Sequence, residues 1–435
     1  MITHRRVLRV AAAALSAAAL LATAACSGTS STPSGDGSAA VDFSQRGPIE
    51  FWRGKDVSGV VPKLIEEWNT AHPDETVTMY ELPDGADAQR QQIILNTEVK
   101  NPKMGVIRTD VVWTSEFAAN GFIVPLPEDK VSTDGMLQPT VEAASYFDKL
   151  YGVPYTSNGG LLFYRQDLLD KYDVEVPTTW AAMKAACEKI KAGENNDKLY
   201  CYAGQHQKYE GLTVNFAEAV TSAGGVITNP DGTPDVDTPE ARDGLAFLAD
   251  SFADGTIPKA AITWQEEQGR QAFQDGTLIF HRNWATVYAL ANKTDGSSKV
   301  AGKFDVAPLP GLNGPGTSSL GGQSLSIPAT AANKGTALDF ITFMTSKDIQ
   351  TKAVLGNAIP PTLDALYTDP DITKAYPYLP SLKTSIETAV PRPKVVKYGD
   401  ATSAIQDDVY RTLQGQTAPA EALTSLQSKL QTLTS

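Results

Sequence analysis

One stretch near the middle of the chain constrains its architecture more than any other. Residues 153–169 read VPYTSNGGLLFYRQDLL, with strand-type residues on both sides of the polar segment 156–160. Gly159 and Gly160 tolerate positive φ angles and a close approach of other groups. The pattern therefore predicts a flexible turn between two strands. That turn is either a surface hairpin or the point where the chain passes from one lobe to another and the Asn158 amide meets a ligand.

The length of the chain and the order of its segments predict two α/β domains. The chain has 435 residues, more than one hydrophobic core usually serves, and an ordinary globular composition with 42% hydrophobic residues. Strand-type segments at residues 48–52 and 76–82 enclose a helix-type segment at 57–72, which is typical of a parallel sheet. Further strands are expected at residues 106–113, 276–289 (broken at 282–284), 304–309 and 321–328, and further helices at 86–100, 179–192, 240–253, 264–275, 338–355 and 402–433.

The first 25 residues have the pattern of an export signal. A cationic beginning with Arg5, Arg6 and Arg9 is followed by an apolar run and by a small-residue approach to Cys26. Cys26 in this position resembles a bacterial lipobox, although Thr23 stands where Leu is usual, and the alternative is ordinary secretion with cleavage nearby. Residues 26–45 are rich in Ser, Gly and Pro and are expected to form a flexible tether. The protein is thus predicted to be extracytoplasmic and anchored to the cell membrane by a lipid on Cys26.

The remaining cysteines and the net charge limit the chemistry further. Cys187 and Cys201 form an even pair in an oxidising compartment, so a disulfide is expected, and two buried thiols are the alternative. The formal net charge of -13 makes nucleic acid an unfavourable partner, because both molecules are negatively charged.

Signatures of catalysis are scarce. The sequence contains no GxSxG, P-loop, GxGxxG or HExxH motif, and His72, His206 and His281 are far apart along the chain. Neither a cofactor, a metal site nor a Ser/His mechanism is expected. A two-carboxylate glycoside hydrolase remains open, because that mechanism needs only two suitably spaced acids.

Binding of a sugar without chemistry needs an aromatic face for the pyranose ring and planar polar groups for its hydroxyls. Side chains of these types lie at breaks between predicted elements: Asp110, Asn158, Glu210, Trp284 and Arg392. Each also has a structural explanation. Asp110 could cap a helix, Trp284 could pack in the core, Arg392 could form an ion pair at a helix end, and Glu210 could hold the lobes together by a hydrogen bond.

Seven segments taken together resemble one protein family. In chain order they are DVVWTSEFAANGFIVPL (110–126), GVPYTSNGGLLFYRQDLL (152–169), KYEGL (208–212), AFQDGTLIFHRNW (272–284), APLPG (307–311), LGGQSLSI (320–327) and AVPRP (389–393). The order and the signal-tether arrangement resemble the substrate-binding lipoproteins of sugar ABC importers, extracellular solute-binding protein family 1. Within it, the trehalose/maltose-binding branch is the most similar.

The resemblance implies an α/β, two-lobed periplasmic-binding-protein-like fold of type II, with a hinge and a ligand cleft between the lobes. One lobe is expected to contain residues 46–155 and 288–327, and the other residues 156–287 and 328–435. The implied ligand contacts are Asp110, Asn158, Trp284 and Arg392, then Arg90, Glu210, Gly322 and Gln323, where Gln323 replaces a Trp usual in the family.

The implied function is non-enzymatic capture of an α-linked disaccharide, trehalose or maltose, for delivery to membrane permease subunits by a monomeric protein. A secreted glycoside hydrolase and a peptide- or amino-acid-binding receptor of similar shape are the alternatives.

Overall fold

The computed structural model describes residues 41–56 and 58–434. The predicted signal, the lipid attachment at Cys26 and residues 26–40 of the predicted tether lie outside the described residues. Over the described part the strands are β1 (Ile49–Gly54), β2 (Val77–Leu82), β3 (Met104–Asp110), β4 (Ser145–Tyr146), β5 (Lys149–Leu150), β6 (Val153–Tyr164), β7 (Tyr200–Ala203), β8 (Leu278–Trp284), β9 (Asp305–Ala307) and β10 (Leu320–Ser326).

Helices outnumber strands in the same residues. They are α1 (Val61–Ala71), α2 (Ala86–Glu98), α3 (Thr114–Ala119), α4 (Gln138–Ala143), α5 (Gln166–Lys171), α6 (Trp180–Glu194), α7 (Glu210–Ser222), α8 (Pro239–Ala253), α9 (Glu266–Gln274), α10 (Val287–Ala291), α11 (Lys334–Thr345), α12 (Lys347–Asn357), α13 (Pro370–Ala375), α14 (Leu379–Glu387), α15 (Tyr398–Leu413) and α16 (Pro419–Thr434), with 3-10 turns at Lys259–Thr263 and Asp364–Tyr367. Among the described residues, none of these helices combines the length and apolar character needed to cross a membrane.

The main sheet consists of two half-sheets that share strand β6. The first half-sheet has the order β2-β1-β3-β10-β6, with β1 parallel to both β2 and β3, as the strand-helix-strand pattern predicts. Residues 153–159 of β6 pair with β10, whereas residues 160–164 pair with β8 and β9. The second half-sheet is thus β9-β6-β8-β7, with β7 parallel to β8. The chain passes from one half-sheet to the other at Gly159 and Gly160.

The prediction of a flexible turn at residues 156–160 was wrong, because this segment continues strand β6 without interruption. Neither Gly159 nor Gly160 has a positive φ angle. The glycines are required by close packing instead. A Cβ atom on Gly159 would lie 2.4 Å from Ser385 Oγ, and one on Gly160 would lie 2.7 Å from Glu218 Oε1. Side chains from both neighbouring layers therefore approach the backbone at the junction of the half-sheets.

Several helix predictions also changed in detail. The predicted helix at 338–355 is divided into α11 and α12 at Ser346, whose hydroxyl caps α12 by accepting from the Ile349 amide. The predicted helix at 402–433 is likewise divided into α15 and α16, with Gly415 at φ +71° between them. Helix α7 was not predicted, because its residues are buried on nearly all sides and show little helical periodicity.

The predicted disulfide is confirmed. Cys187 on α6 and Cys201 on β7 are bonded, with their Cα atoms 5.3 Å apart. The alternative of two buried thiols is excluded.

The predicted lobe boundaries stay a prediction. Two elements lie on the other side of the predicted division, however. Strand β9 pairs with β6 in the second half-sheet, and α11 contributes Phe340 and Ile341 to the core that contains Phe51 and Val106 of the first half-sheet. The placement of β9 and of α11 depends on packing against residues far away in the sequence, which a local pattern does not show.

Candidate functional site

A cleft with a volume of about 370 Å³ lies where the two half-sheets meet. Strands β1, β3 and β8 end at it, as expected for a ligand site beyond the carboxyl ends of strands. Its walls include seven of the predicted ligand residues, namely Asp110, Asn158, Glu210, Trp284, Gly322, Gln323 and Arg392. They also include residues that were not predicted, among them Arg53, Lys55, Asp56, Arg108, Trp113, Tyr155, Thr156, Tyr209 and Glu266.

Arg392 joins two parts of the cleft by ion pairs. Its Nη2 donates to Asp110 Oδ1 at 3.1 Å, at the end of β3, and its Nη1 donates to Glu210 Oε1, at the start of α7. Arg392 as a whole residue is 3% exposed. Burial alone lowers the pKa of Arg392, but the Asp110 and Glu210 carboxylates more than reverse this and raise it. The predicted ion pair for Arg392 is thus present, with partners that come from two different elements.

The Glu210 carboxylate is fully engaged within the protein. Besides Arg392, it accepts hydrogen bonds from the Tyr398 hydroxyl and from Thr402 Oγ1, the latter at 2.8 Å. Burial raises the pKa of Glu210, and Arg392 opposes that rise. The Glu210 amide donates to Asp87 Oδ2 on α2 at 3.0 Å, which links α7 to a helix that packs on β2. These contacts of Glu210 support its predicted role as a hydrogen-bonding link between the lobes more directly than a contact with a ligand.

The helix-cap alternative for Asp110 was wrong. Helix α3 has Trp113 at its N-cap position and no side-chain cap. The Asp110 carboxylate instead accepts from the Val112 amide at 3.3 Å and from Arg392, and it lines the cleft.

Trp284 ends β8 and is half-buried in the wall of the cleft. The guanidinium carbon of Arg282 lies 4.0 Å from the centre of its indole ring. Arg282 is itself held by an ion pair with Glu218 and by a 2.9 Å hydrogen bond to Gln205 Oε1. A Cβ atom on Gly321 would lie 2.8 Å from the ring edge, so glycine is needed there. The indole is therefore fixed in place before any ligand binds.

Asn158 and the β10 residues complete the wall near β6. Asn158 Oδ1 accepts from the Ala285 amide at 3.4 Å, whereas its Nδ2 has no hydrogen-bond partner in the described part of the chain. Gln323 Oε1 accepts from Thr156 Oγ1 at 2.6 Å. Gly322 has a φ of +116°, and a Cβ atom there would lie 2.4 Å from the Thr156 carbonyl oxygen. The Asn158 amide is thus available as a donor.

Arg90 is not among the residues that line the cleft. Its Nε donates to Glu116 Oε2 at 2.6 Å, and its guanidinium packs over Gly399. Its predicted contact with a ligand stays a prediction, without support from its position.

A group of charged residues in the cleft wall was not predicted from the sequence. Arg53 on β1 and Arg108 on β3 each follow a mainly apolar run of their strand, in IEFWRG and MGVIRTD. An Arg directly after such a run is the signal that could have shown them. Asp56 and Tyr155 lie beside them. Within residues 41–56 and 58–434, no group of three or more His, Cys, Asp or Glu side chains is placed to hold a metal ion.

Comparison with known proteins identifies the family. The model of the bacterial extracellular solute-binding proteins matches residues 54–351. A probable ABC transporter-binding protein of Deinococcus radiodurans is 32% identical over 367 residues, which cover 82% of this chain and 86% of that protein. The maltose-bound MalE3 structure of T. maritima has a TM-score of 0.83 at 30% identity and covers 89% of this chain and 99% of its own.

The GacH receptor of Streptomyces glaucescens, solved without ligand and with acarbose, shares the fold, with a TM-score of 0.79 at 24% identity over 89% of this chain and 98% of its own. The α/β fold is two-lobed, like that of these neighbours, and β6 passes between the half-sheets of its lobes. The family match spans more than half of the chain. The chain therefore belongs to the bacterial extracellular solute-binding proteins, as the sequence indicates, and is the solute-binding component of an ABC transporter.

Proposed function

We propose that this protein captures an α-linked disaccharide such as trehalose or maltose outside the cytoplasm and delivers it to a membrane permease. The observation that carries the proposal is the fixed Trp284 indole beside the polar groups of Asp110 and Asn158 in one cleft. An aromatic face covers the apolar side of a pyranose ring, while amide and carboxylate groups bond its hydroxyls. A volume of about 370 Å³ suits a small ligand of this size. Similarity to the maltose-bound T. maritima protein supports the same substrate class.

Closure of the two lobes around the sugar is the proposed mechanism. Only a closed state lets groups on both half-sheets contact the ligand, so binding shifts the open/closed equilibrium. Strand β6, which belongs to both half-sheets, is the proposed hinge element. Micromolar affinity corresponds to about 8 kcal/mol of binding free energy.

A lipid on Cys26 and a flexible tether would hold a monomeric protein near its permease. Both features lie in the N-terminal part of the sequence, and the pattern of small residues before Cys26 supports them.

Hydrolysis of the sugar is the competing activity, and the charges in the cleft argue against it. Asp110 and Glu210 both bond the Arg392 guanidinium. Glu266 accepts from the Tyr209 hydroxyl at 2.7 Å and from the Trp284 indole nitrogen at 3.4 Å. Carboxylates held in this way are poor candidates for a free nucleophile or for a proton donor. Analysis of maltose and trehalose after incubation with the protein tests this, and release of glucose would contradict the proposal.

Calorimetric titration and thermal melts with a ligand panel test the substrate class. The panel contains trehalose, maltose, mannitol, ribitol and a dipeptide mixture. We expect the disaccharides to bind and to stabilise the protein by about 2.7 kcal/mol at 100 times the dissociation constant. Stabilisation by peptides alone would favour the receptor alternative and contradict a sugar-binding function.

A further inference from the structure

Three cationic side chains line the cleft together with Asp56 and Tyr155. We call this group the basic subsite and define it as Arg53, Lys55, Asp56, Arg108 and Tyr155, all of which line the cleft. Parallel pairing of Trp52 with Ile107 makes Arg53 and Arg108 the next residues along neighbouring strands. Adjacent strands direct residues in register to the same face of a sheet, so the two guanidinium groups are brought together.

The basic subsite has unused hydrogen-bonding groups. Arg53 and Tyr155 are each 5% exposed. Arg53 Nη1, the Tyr155 hydroxyl and Asp56 Oδ2 have no hydrogen-bond partner among the described residues. Unpaired polar groups at such depth cost free energy, and a ligand that accepts hydrogen bonds from Arg53 Nη1 and the Tyr155 hydroxyl recovers part of it. Asp56 Oδ2 is an acceptor and would take a hydrogen bond from a sugar hydroxyl.

Positive charge is in excess in the basic subsite, with three cationic side chains and one carboxylate. The Asp56 carboxylate lies 3.5 Å from Arg53 Nη2. Arg108 is half-buried and makes no side-chain hydrogen bond or ion pair with any residue in the described ranges, and Lys55, which also lines the cleft, is exposed. Arg392, by contrast, has two carboxylate partners, Asp110 and Glu210. In a chain with a formal net charge of -13, the Arg108 side chain is thus a cation that lines the cleft without a direct ion-pair partner among the described residues.

Two effects disfavour the positive charge on Arg108. Burial, followed by repulsion from Arg53, lowers the pKa of Arg108 to about 10. The guanidinium is still protonated at neutral pH. A bound anion would relieve both effects, because it pairs with the charge and offsets the neighbouring guanidinium.

We propose that the cleft prefers a disaccharide that carries an acidic group, a carboxylate or a phosphate, and that this group binds Arg108 and Arg53. Guanidinium groups match the geometry of both anions with paired N–H donors, and the Tyr155 hydroxyl adds a third donor. This inference deepens the proposed function and rests on it, since the rest of the sugar occupies the same cleft beside Trp284.

The test compares neutral and acidic members of matched sugar pairs. Purified protein is titrated with trehalose and trehalose 6-phosphate, with maltose and maltobionate, and with inorganic phosphate alone. We expect at least one acidic sugar to bind about tenfold or more tightly than its neutral parent, because charged hydrogen bonds are stronger than neutral ones. Comparison of trehalose 6-phosphate with maltobionate shows whether the subsite binds a phosphate or a carboxylate.

Variants assign the preference to the basic subsite. Arg108→Gln should bring the acidic-to-neutral affinity ratio towards one, whereas Arg108→Lys should retain part of it. Lys63→Gln is the matched control, since it removes one positive charge from the exposed surface of α1, outside the cleft, and should leave the ratio unchanged. Because Arg108 bonds none of the described residues, apo melting of Arg108→Gln should stay near that of the original protein, which verifies folding.

Three results would overturn the inference. If neutral sugars bind as tightly as their acidic partners, the inference is overturned, but the proposed function stands. Inorganic phosphate that binds as tightly as the phosphorylated sugar would assign the subsite to free anions. If no sugar of either kind binds the folded protein, the proposed function itself fails, and the inference with it.

Discussion

Arg282 lies with its guanidinium carbon 4.0 Å from the centre of the Trp284 indole ring. The two residues are alternate positions on β8, so their side chains point to the same face of the strand. Arg282 is fully buried and paired with Glu218, which fixes the guanidinium. One face of the indole is therefore covered by protein, and a sugar ring can stack only on the other.

Replacement of Trp284 by Ala should weaken sugar binding more than folding. We expect a loss of about 2–4 kcal/mol of binding free energy, as for an aromatic hot spot. Titration calorimetry and apo melts of the same variant measure the two effects. Trp180→Ala is the control, because Trp180 stacks on Phe247 away from the cleft and should lose stability without loss of affinity. Normal affinity in a well-folded Trp284→Ala protein would exclude Trp284 from the site.

Replacement of Arg392 by Gln should destabilise the protein even without sugar. The change leaves the Glu210 carboxylate buried without a cationic partner, which we expect to lower the free energy of unfolding by about 3–5 kcal/mol. Urea denaturation measures it. The double variant with Glu210→Gln should recover much of the loss, and Arg46→Gln, in an exposed ion pair, should cost under about 1 kcal/mol. An unchanged unfolding free energy in Arg392→Gln would show that Arg392 acts on the ligand alone.

Removal of the disulfide should lower stability through the unfolded state. Cys187 and Cys201 are 14 residues apart in sequence, and a loop of this length contributes about 3 kcal/mol by restricting the unfolded chain. Denaturation of the double Ala variant measures the loss, and a reductant should have no further effect on it. Two free thiols in the denatured, unreduced protein would contradict the bond.

Acid should destabilise the protein through two buried histidines. Burial lowers the pKa of His206 to about 3 and that of His281 to about 4, from an ordinary 6.5. The unfolded chain therefore takes up protons first, so the stability from neutral imidazoles is complete above about pH 6.5 and is lost towards pH 4, by about 1.4 kcal/mol per pH unit for each histidine.

Urea denaturation at pH 7, 6 and 5 tests this effect. His206→Gln should reduce the change in unfolding free energy per pH unit by the contribution of one histidine. His72→Gln, on the surface, should leave that change as it is in the original protein. Equal slopes for the original protein and His206→Gln would contradict it.

Replacement of Cys26 by Ala should release the full-length protein from the membrane fraction, since no acyl chain can then be attached. Fractionation of expressing bacteria measures this. Retention of the variant on the membrane would contradict lipid anchoring.

Local patterns in the sequence were enough for a large part of the fold. The alternation of β1, α1, β2, α2 and β3 follows from short-range periodicity, which depends only on neighbouring residues. The disulfide follows from cysteine count and compartment. Asp110, Asn158 and Trp284 were expected at the site, and all three line the cleft. Asp110 and Trp284 end their strands, where polar and aromatic residues are visible in a single sequence, whereas Asn158 lies within β6.

Only the tertiary structure decided what the glycines of β6 and the buried charges do. Gly159 and Gly160 lie within a strand because Ser385 and Glu218, distant in sequence, leave no room for a Cβ atom. Arg392 forms ion pairs with Asp110 and Glu210 across long stretches of chain, whereas Arg108 forms no ion pair with any described residue. A charge is paired or unpaired according to the packing around it, and packing between segments far apart in sequence leaves no local pattern to read.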